Sequence, residues 1–269
     1  MCEFCTKHGE GKKWYEIMEH YSKEFANDPK RLKFIKDFVT GMRQNAGANL
    51  SKLAWVKRKI PLAYRFIRKM ATANMKQFHY GQIVPLEDAE KILDMVHSIT
   101  RIPCICRSIT IGKEDARYCL LLGVDPTSLV SDWPELQASL ETLPPEQAKT
   151  ILREFDQKGL IHSIWTFKTP FIGAICNCDR DCMAYRTQIG SGLMNLMFKA
   201  EFIAEINISQ CSGCRNCIKL CQFGAIEYSA TNTKCFINPL KCYGCGVCRS
   251  GCKHEAISLF DRTGLPQSN

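Results

Sequence analysis

The sequence predicts an α+β protein in which a mainly helical N-terminal domain carries a winged-helix-like β-hairpin and precedes a small cysteine-rich module. Three observations support this fold class. Apolar residues recur at helical spacing along much of residues 1–205. A helical segment that begins at Pro145 is followed by two short runs rich in β-branched and aromatic residues. Two cysteine runs of identical spacing then lie between Cys211 and Cys252.

The upstream helices are recognised by apolar periodicity and by residues typical of helix ends. Trp14, Ile17 and Tyr21 share one face at helical spacing. Proline suits the first turn of a helix and glycine often follows the last turn, so Pro29 marks a start and Gly159 an end. Helices are therefore predicted over residues 14–27, 29–44, 85–100, 117–122, 145–158 and 183–202, with another that begins at residue 61.

The β-hairpin is predicted directly after the helix at 145–158. Leu160 to Phe167 and Phe171 to Cys176 have the composition of strands, and Lys168-Thr-Pro forms the turn between them. A helix followed by a hairpin is the skeleton of a winged helix, which is a shape typical of DNA-binding proteins. Because this hairpin ends in cysteines, a metal is favoured over DNA.

The two cysteine runs share the spacing CxxCxxCxxxC, which is that of the bacterial iron–sulfur run. Three thiolates on a short loop can reach one Fe4S4 cube, and the fourth cysteine of such a run ligates the neighbouring cube. Zinc sites use other spacings, and a disulfide framework requires a secreted context. The predicted ligands of cluster I are Cys211, Cys214, Cys217 and Cys252. Those of cluster II are Cys242, Cys245, Cys248 and Cys221.

Residues 206–260 resemble the bacterial-type two-cluster 2[4Fe-4S] ferredoxin domain. The resemblance includes the segment that enters the second run, Ile237-Asn-Pro-Leu-Lys-Cys, and the matching tails 224–226 and 255–257. It implies a (βαβ)2 module that holds two [4Fe-4S] clusters and transfers electrons. The proline that normally follows each fourth cysteine is replaced by Gln222 and Lys253. The predicted domains are 1–205, 206–260 and a C-terminal tail, 261–269.

A second set of thiols lies upstream of this module. Its members are Cys104, Cys106, Cys176, Cys178 and Cys182, with Cys119 between the two groups. Three interpretations remain open: a third iron–sulfur cluster, a zinc site, or cysteines that bind no metal. The motifs are loosely similar to those ahead of ferredoxin modules in other iron–sulfur proteins of anaerobes, and this names no activity. Cys2-x2-Cys5 is a further CxxC pair that could serve redox chemistry or half a metal site.

The positive charge is concentrated in one stretch. No acidic residue lies between Phe38 and Leu86, whereas nine basic residues do, and these equal the formal net charge of +9. A solvated helix face and docking to an acidic redox partner are the leading interpretations; peripheral membrane contact through residues 50–80 is a third. Nucleic acid is not expected, since no binding motif accompanies the charge. The basic residues are Arg43, Lys52, Lys57, Arg58, Lys59, Arg65, Arg68, Lys69 and Lys76.

The sequence indicates a cytoplasmic iron–sulfur protein of an anaerobic or microaerobic host. The N-terminus lacks the apolar region of a secretory signal, no apolar run reaches the roughly 18 residues that span a bilayer, and 17 cysteines suit a reducing compartment. The predicted function is electron transfer to or from a partner oxidoreductase. The alternative is a reductase with its own substrate or cofactor site at the upstream cysteines, where Arg107 and Arg180 could bind an anion. An iron–sulfur DNA-binding sensor is a weaker third hypothesis.

Overall fold

The structure is a computed structural model, which describes residues 13–129, 137 and 139–262. Cys2, Cys5 and tail residues 263–269 lie outside this part of the chain. The α-helices are Lys23–Ala26 (α1), Pro29–Lys59 (α2), Pro61–Phe78 (α3), Leu86–Met95 (α4), Ile105–Ile111 (α5), Pro126–Leu129 (α6), Pro145–Gln157 (α7), Met183–Tyr185 (α8) and Asn216–Leu220 (α9). Short 3-10 turns occupy Trp14–Glu16, Met18–Tyr21 and Val247–Arg249, and a π-helical turn occupies Arg186–Gly190.

The strands form one large sheet and two small ones. They are Gly81–Ile83 (β1), Ile99–Ile102 (β2), Cys119–Leu122 (β3), Glu141–Thr142 (β4), Ile161–Thr166 (β5), Ile172–Cys178 (β6), Met197–Phe198 (β7), Phe202–Ile206 (β8), Ile226–Ser229 (β9), Lys234–Ile237 (β10) and Ile257–Asp261 (β11). The large sheet has seven strands in the order β4-β2-β3-β6-β5-β1-β7. Its pairs are antiparallel except for β1 with β7. The predicted α+β class is confirmed.

The predicted hairpin is present as β5 and β6, but it does not project as a wing. It lies inside the seven-stranded sheet, between β3 and β1. Elements packed on both faces of the sheet bury the side chains of these strands, apart from the half-buried Cys176. The winged-helix resemblance therefore ends at the order of elements, and the hairpin instead carries Cys176 and Cys178 into the interior of the upstream region.

Alternation along the central strands divides the core between the two faces of the sheet. Leu120 and Leu122 point to the face covered by α4 and α7, whereas Leu121 points to the face covered by α2. Ile164 and Trp165 divide in the same way on β5. The upstream cysteines belong with the second face, so the sheet separates them from α4 and α7.

Two predicted helices are wrong. Residues 119–122 form strand β3, because Cys-Leu-Leu-Leu is a continuous apolar run that periodicity cannot assign to helix or buried strand. The helix predicted over 183–202 stops being α-helical at Tyr185 and gives way to a π-helical turn. Gly192, at φ +60°, then breaks the pattern, and β7 and β8 follow.

Other predicted helices differ from the structure in their limits or helical type. The segment 14–27 forms 3-10 turns and one α-helical turn, and the helix predicted over 85–100 ends at Met95, after which β2 begins. The helix predicted over 29–44 continues to Lys59. It starts where predicted, because Pro29 follows an N-cap in which the Asp28 carboxylate accepts a hydrogen bond from the Lys30 N–H at 3.0 Å.

The downstream elements follow the order strand, helix, strand, strand, helix, strand that a (βαβ)2 module requires. Strand β8 pairs with β11, and β9 pairs with β10, all antiparallel. The second helix is reduced to the 3-10 turn Val247–Arg249. The division of the chain into domains remains a prediction. Within the described residues, no helix has the length and apolar character needed to cross a membrane.

Candidate cysteine sites

The first group of thiols combines three cysteines of run one with the last cysteine of run two. Cys211, Cys214, Cys217 and Cys252 line a small cavity of about 20 Å³. Cys235 on β10 lines the same cavity and is buried, although its sequence position lies outside both runs. Burial, with a smaller contribution from the nearby Cys235 thiol, raises the pKa of Cys217 to about 12.

The second group has the reciprocal composition. Cys242 and Cys248 are buried and Cys245 is half-buried, and Cys221 from run one lies close enough for its charge to act on Cys245 and Cys248. Burial raises the pKa of Cys248 well above its usual value, and the charges of Cys245, Cys242 and Cys221 add to that rise. The fold thus brings the fourth cysteine of each run towards the other run. The assignment of these thiols as cluster ligands remains a prediction.

Glycines hold the two cysteine loops close to neighbouring strands. Gly213 and Gly244 occupy the same position in the two runs, with φ values of +70° and +71°. A β-carbon on Gly213 would overlap the backbone oxygen of Thr233, and one on Gly244 would overlap that of Phe202. Both loops therefore need glycine for backbone conformation and for close approach.

Backbone N–H groups point at the sulfurs that end each run. Ala225 donates to Cys221 Sγ at 3.2 Å, and Ala256 donates to Cys252 Sγ at 3.3 Å. These alanines are the central residues of the matching tails noted in the sequence. Hydrogen bonds of this kind to ligand sulfurs are among the interactions that set the reduction potentials of iron–sulfur clusters.

The six upstream thiols form one continuous chain of contacts. Cys176 lies 3.7 Å from Cys119, sulfur to sulfur, and Cys178 lies 3.2 Å from Cys182. Cys104 joins Cys119 to Cys106, and Cys106 in turn contacts Cys182. All six are grouped in the sequence, where five are candidate ligands, and the structure brings these five together with Cys119.

Hydrogen bonding within this chain separates the thiols by acidity. Hydrogen bonds from the Cys106 and Cys119 thiols lower the pKa of Cys104, and those from Cys106 and Cys178 lower the pKa of Cys182. Burial and donation to their neighbours raise the pKa of the other thiols in these contacts. Thiolate character therefore concentrates on one cysteine from each of the two predicted segments.

Two arginines near the thiols have structural partners. Arg107 is buried, forms an ion pair with Asp179 at 2.7 Å, and donates to Cys104 Sγ at 3.6 Å. Its guanidinium also stacks 3.9 Å from the Tyr118 ring centroid. Arg180 hydrogen-bonds to Tyr185. These contacts favour a structural role for both side chains over the anion-binding role considered from sequence.

An aromatic contact joins the upstream thiols to the cysteine runs. Tyr185 follows Cys182 by one helical turn, and its hydroxyl donates to the backbone oxygen of Gln222. Phe223 stacks on Tyr243 with centroids 3.8 Å apart and an interplanar angle of 11°. These rings belong to the same buried cluster as one cysteine of run two, Cys245, and four upstream cysteines: Cys106, Cys176, Cys178 and Cys182.

Gln222 stands where the two-cluster ferredoxin pattern has proline, and the structure gives it a contact of its own. Its side-chain amide donates to the backbone oxygen of Gly159 at 2.9 Å. Gly159 ends helix α7, so the residue that follows run one is fastened to the upstream region. Proline at this position could not form that bond.

The part of the chain that the structure describes contains no group of three or more His, Cys, Asp or Glu side chains arranged around a single metal-ion position. A four-iron cluster distributes its thiolates over different iron atoms, whereas zinc takes four ligands on one centre. The donor set present here, buried thiols with N–H groups directed at sulfur, has the chemistry that iron–sulfur clusters use.

Sequence comparison finds only partial similarity to known proteins. The chain is 32% identical over 59 residues to the archaeal-type glutamate synthase [NADPH] of Thermotoga maritima, which covers 22% of this chain and 12% of that protein. It is 34% identical over 78 residues to the indolepyruvate oxidoreductase subunit IorA of Pyrococcus horikoshii, covering 29% of this chain and 11% of that subunit. The chain thus spans about an eighth or less of these relatives. No family model and no solved structure matches it significantly.

The sequence groups Cys119 with the upstream thiols without making it a candidate ligand, and it indicates no metal-binding role for Cys235. Cys119 faces Cys176 in the β3–β6 register, which the helix predicted over 117–122 concealed. Cys235 pairs with Tyr228 on the hairpin between the two runs, so the fold alone brings it to the first thiol group. Reading residues 119–122 as a strand could have indicated that Cys119 lies beside another strand. Nothing in the cysteine spacing indicates the position of Cys235.

Proposed function

We propose that this chain is an iron–sulfur electron-transfer protein or subunit that holds two [4Fe-4S] clusters in its C-terminal module. The observation that carries the proposal is the reciprocal grouping of the eight thiols, with Cys252 beside run one and Cys221 beside run two. When bound, each cluster takes up and releases one electron. The partial similarity to two oxidoreductases supports a general redox role.

The upstream thiols extend this proposal to a third iron–sulfur cluster, with zinc as the competing metal. The six sulfurs are contiguous, and hydrogen bonds from neighbouring thiols lower the pKa of Cys104 and of Cys182. Four of the six, Cys106, Cys176, Cys178 and Cys182, share a buried cluster with Cys245 of run two and with Tyr185, Phe223 and Tyr243. A centre at the upstream set would lie on the side of the module that faces the rest of the chain and would lengthen the electron path.

A redox partner with an acidic docking surface completes the proposal. Six of the nine basic residues predicted to form the charged stretch are exposed on α2 and α3: Lys52, Lys57, Arg58, Lys59, Arg65 and Lys69. Between them, the apolar side chains Leu62, Phe66 and Met70 also face solvent. A positively charged surface with exposed apolar side chains at its centre suits binding to an acidic partner protein, because opposite charge steers the association.

Metal analysis of anaerobically purified protein tests the proposal. Two four-iron clusters require about eight irons and eight sulfides per chain, with an EPR signal after dithionite reduction. A content of about twelve irons places a further cluster on the upstream thiols. Cys214→Ala should remove about four irons, and Cys235→Ala is the matched control in the same cavity. An iron content unchanged by Cys214→Ala would contradict the ligand assignment.

The alternative function, a reductase with its own site at the upstream thiols, is favoured by one observation. Five of the six upstream thiols line a large apolar cavity: Cys106, Cys119, Cys176, Cys178 and Cys182. A substrate there would lie next to the proposed third cluster. A change in the EPR spectrum of that centre when a small molecule binds would support the reductase; an unchanged spectrum with rapid electron exchange with a partner protein would support the carrier.

A further inference from the structure

The cavity beside the upstream thiols has a volume of about 340 Å³, which is within the range of small-molecule sites. Its floor is the face of the large sheet that carries Leu121, Trp165 and Ala174. Its roof is helix α2. The thiols close one end, so a molecule in this cavity would contact sulfur at that end and only carbon over most of its remaining surface.

Helix α2 presents a regular apolar stripe to the cavity. The stripe recurs at intervals of three and four residues along more than half of the helix, which is the pattern of a buried face. Its members are Ile35, Phe38, Val39, Met42, Ala46, Leu50 and Leu53. The first of them packs on the sheet, since Ile35 is only 1% exposed. Towards Leu53 the stripe borders the cavity, so part of its apolar surface lacks a protein partner there.

The lining offers an anion no counter-charge. Among the side chains that the structure describes, no Lys, Arg, Asp or Glu borders the cavity. His79 does, but burial lowers its pKa to about 4, so the ring is neutral at physiological pH. The Trp165 indole N–H donates to Ser163 at 2.9 Å, inside the protein. An ionised ligand would lose its hydration here without a counter-charge, which is costly.

Water is also a poor occupant. A buried water requires two to four polar partners, and the lining is almost entirely carbon and sulfur. Apolar surface left in contact with such poorly bound water favours a ligand that displaces it. The lining therefore selects for low polarity as well as for the absence of charge.

We propose that this cavity binds one uncharged, mainly apolar ring compound against the upstream thiols. Binding depends on the α2 stripe and the sheet and is independent of iron; use of the ligand as an electron acceptor or donor would rest on the proposed function above. A molecule with two fused rings fits within this volume, whereas the phosphates of a nucleotide cofactor would meet no basic side chain among the described lining residues.

Isothermal titration calorimetry of the anaerobically purified full chain tests this, with 2-naphthol as the neutral probe and naphthalene-2-sulfonate as its anionic counterpart. We expect 2-naphthol to bind with one-to-one stoichiometry and the sulfonate to bind at least about tenfold more weakly, because its charge cannot be solvated in the cavity. Equal affinities, or no binding of 2-naphthol, would overturn the proposal.

Two tryptophan substitutions on α2 locate the site. Ala46 lines the cavity, whereas Ala48 on the same helix is exposed. Ala46→Trp should fill the space and weaken 2-naphthol binding by at least about tenfold, and Ala48→Trp should leave it unchanged. Equal effects of both substitutions would overturn the location. Iron content should be the same in both variants, which separates this result from any failure of the cluster assignment.

A measurement on the unmodified protein tests the location of the site even if the Ala46→Trp variant misfolds. Bound 2-naphthol should slow amide hydrogen exchange in the second half of α2, where the stripe borders the cavity, and leave exchange in α7 on the opposite face unchanged. Protection of α7 without protection of α2 would place the ligand elsewhere and overturn the proposal.

Discussion

Arg249 forms a two-pronged ion pair with Glu87, with nitrogen–oxygen distances of 2.7 and 2.8 Å. Arg249 directly follows Cys248 of run two, and Glu87 lies in the first turn of α4. Next to it, the hydroxyl of Ser250 donates to the carboxylate of Asp156 on α7. An ion pair to α4 and a hydrogen bond to α7 therefore attach the second cysteine loop to the two helices that cover one face of the large sheet.

Replacing Glu87 by Gln should loosen this attachment. The substitution keeps the shape but removes the charge, and the pair is partly exposed, so the expected loss in the free energy of unfolding is about 1 kcal/mol or less. Urea unfolding at low and high salt measures it, with the loss shrinking as salt rises. Glu227→Gln, which breaks the pair with Lys241 inside the module, is the control. Only Glu87→Gln should also speed proteolytic release of the module.

Alanine at Gly213 or Gly244 should disrupt the corresponding cysteine loop. The substitution forces a β-carbon onto a strand oxygen at a positive φ, so we expect a destabilisation above about 2 kcal/mol and loss of iron from that loop. Iron analysis and thermal unfolding check this. Gly224→Ala is the control, since Gly224 also has positive φ but open space around it. A full iron content in Gly213→Ala would contradict the prediction.

Stability should fall in mild acid because of His79. Its ring is enclosed by Phe38, Trp165 and Phe167, with centroids 4.3 to 5.0 Å away, and burial lowers its pKa to about 4. The unfolded chain protonates near pH 6.5, before the folded chain does, so stability is lost as pH falls from about 6.5 to about 4. The full contribution is about 3 kcal/mol.

The His79→Phe variant isolates that contribution. Phenylalanine keeps the aromatic packing and cannot protonate, so its unfolding free energy should lack this part of the pH dependence. The difference between wild type and variant, followed by circular dichroism from pH 7 to pH 4, is the quantity to measure. A difference that stays constant with pH would contradict the prediction.

Proline at position 222 should weaken the contact between run one and α7. Gln222→Pro removes the side-chain hydrogen bond to Gly159, at an expected cost of about 1 kcal/mol. Lys253→Pro makes the matching change after run two, where the side chain is exposed, and should be nearly neutral. Denaturant titration of both variants measures the difference. A Gln222→Pro variant as stable as wild type would show that the bond contributes nothing.

The sequence allowed the local features to be predicted and concealed the long-range ones. Pro29 and Gly159 predict a helix start and a helix end correctly, because such signals act within a few residues. The partners of strand β3 lie 20 and about 55 residues away in the chain, so no local pattern could identify them. The direct contact of Cys119 with Cys176 follows from that pairing.

The stack of Phe223 on Tyr243 has a consequence for how the chain could be divided. Tyr243 lies between two cysteines of run two, yet it is only 8% exposed and its hydroxyl accepts a hydrogen bond from Gln188 in the upstream region. A module excised at residue 206 would expose this aromatic pair to solvent as an apolar patch that favours aggregation. Transplanting the cysteine runs into another protein would therefore require either a new cover for these rings or their replacement by polar residues.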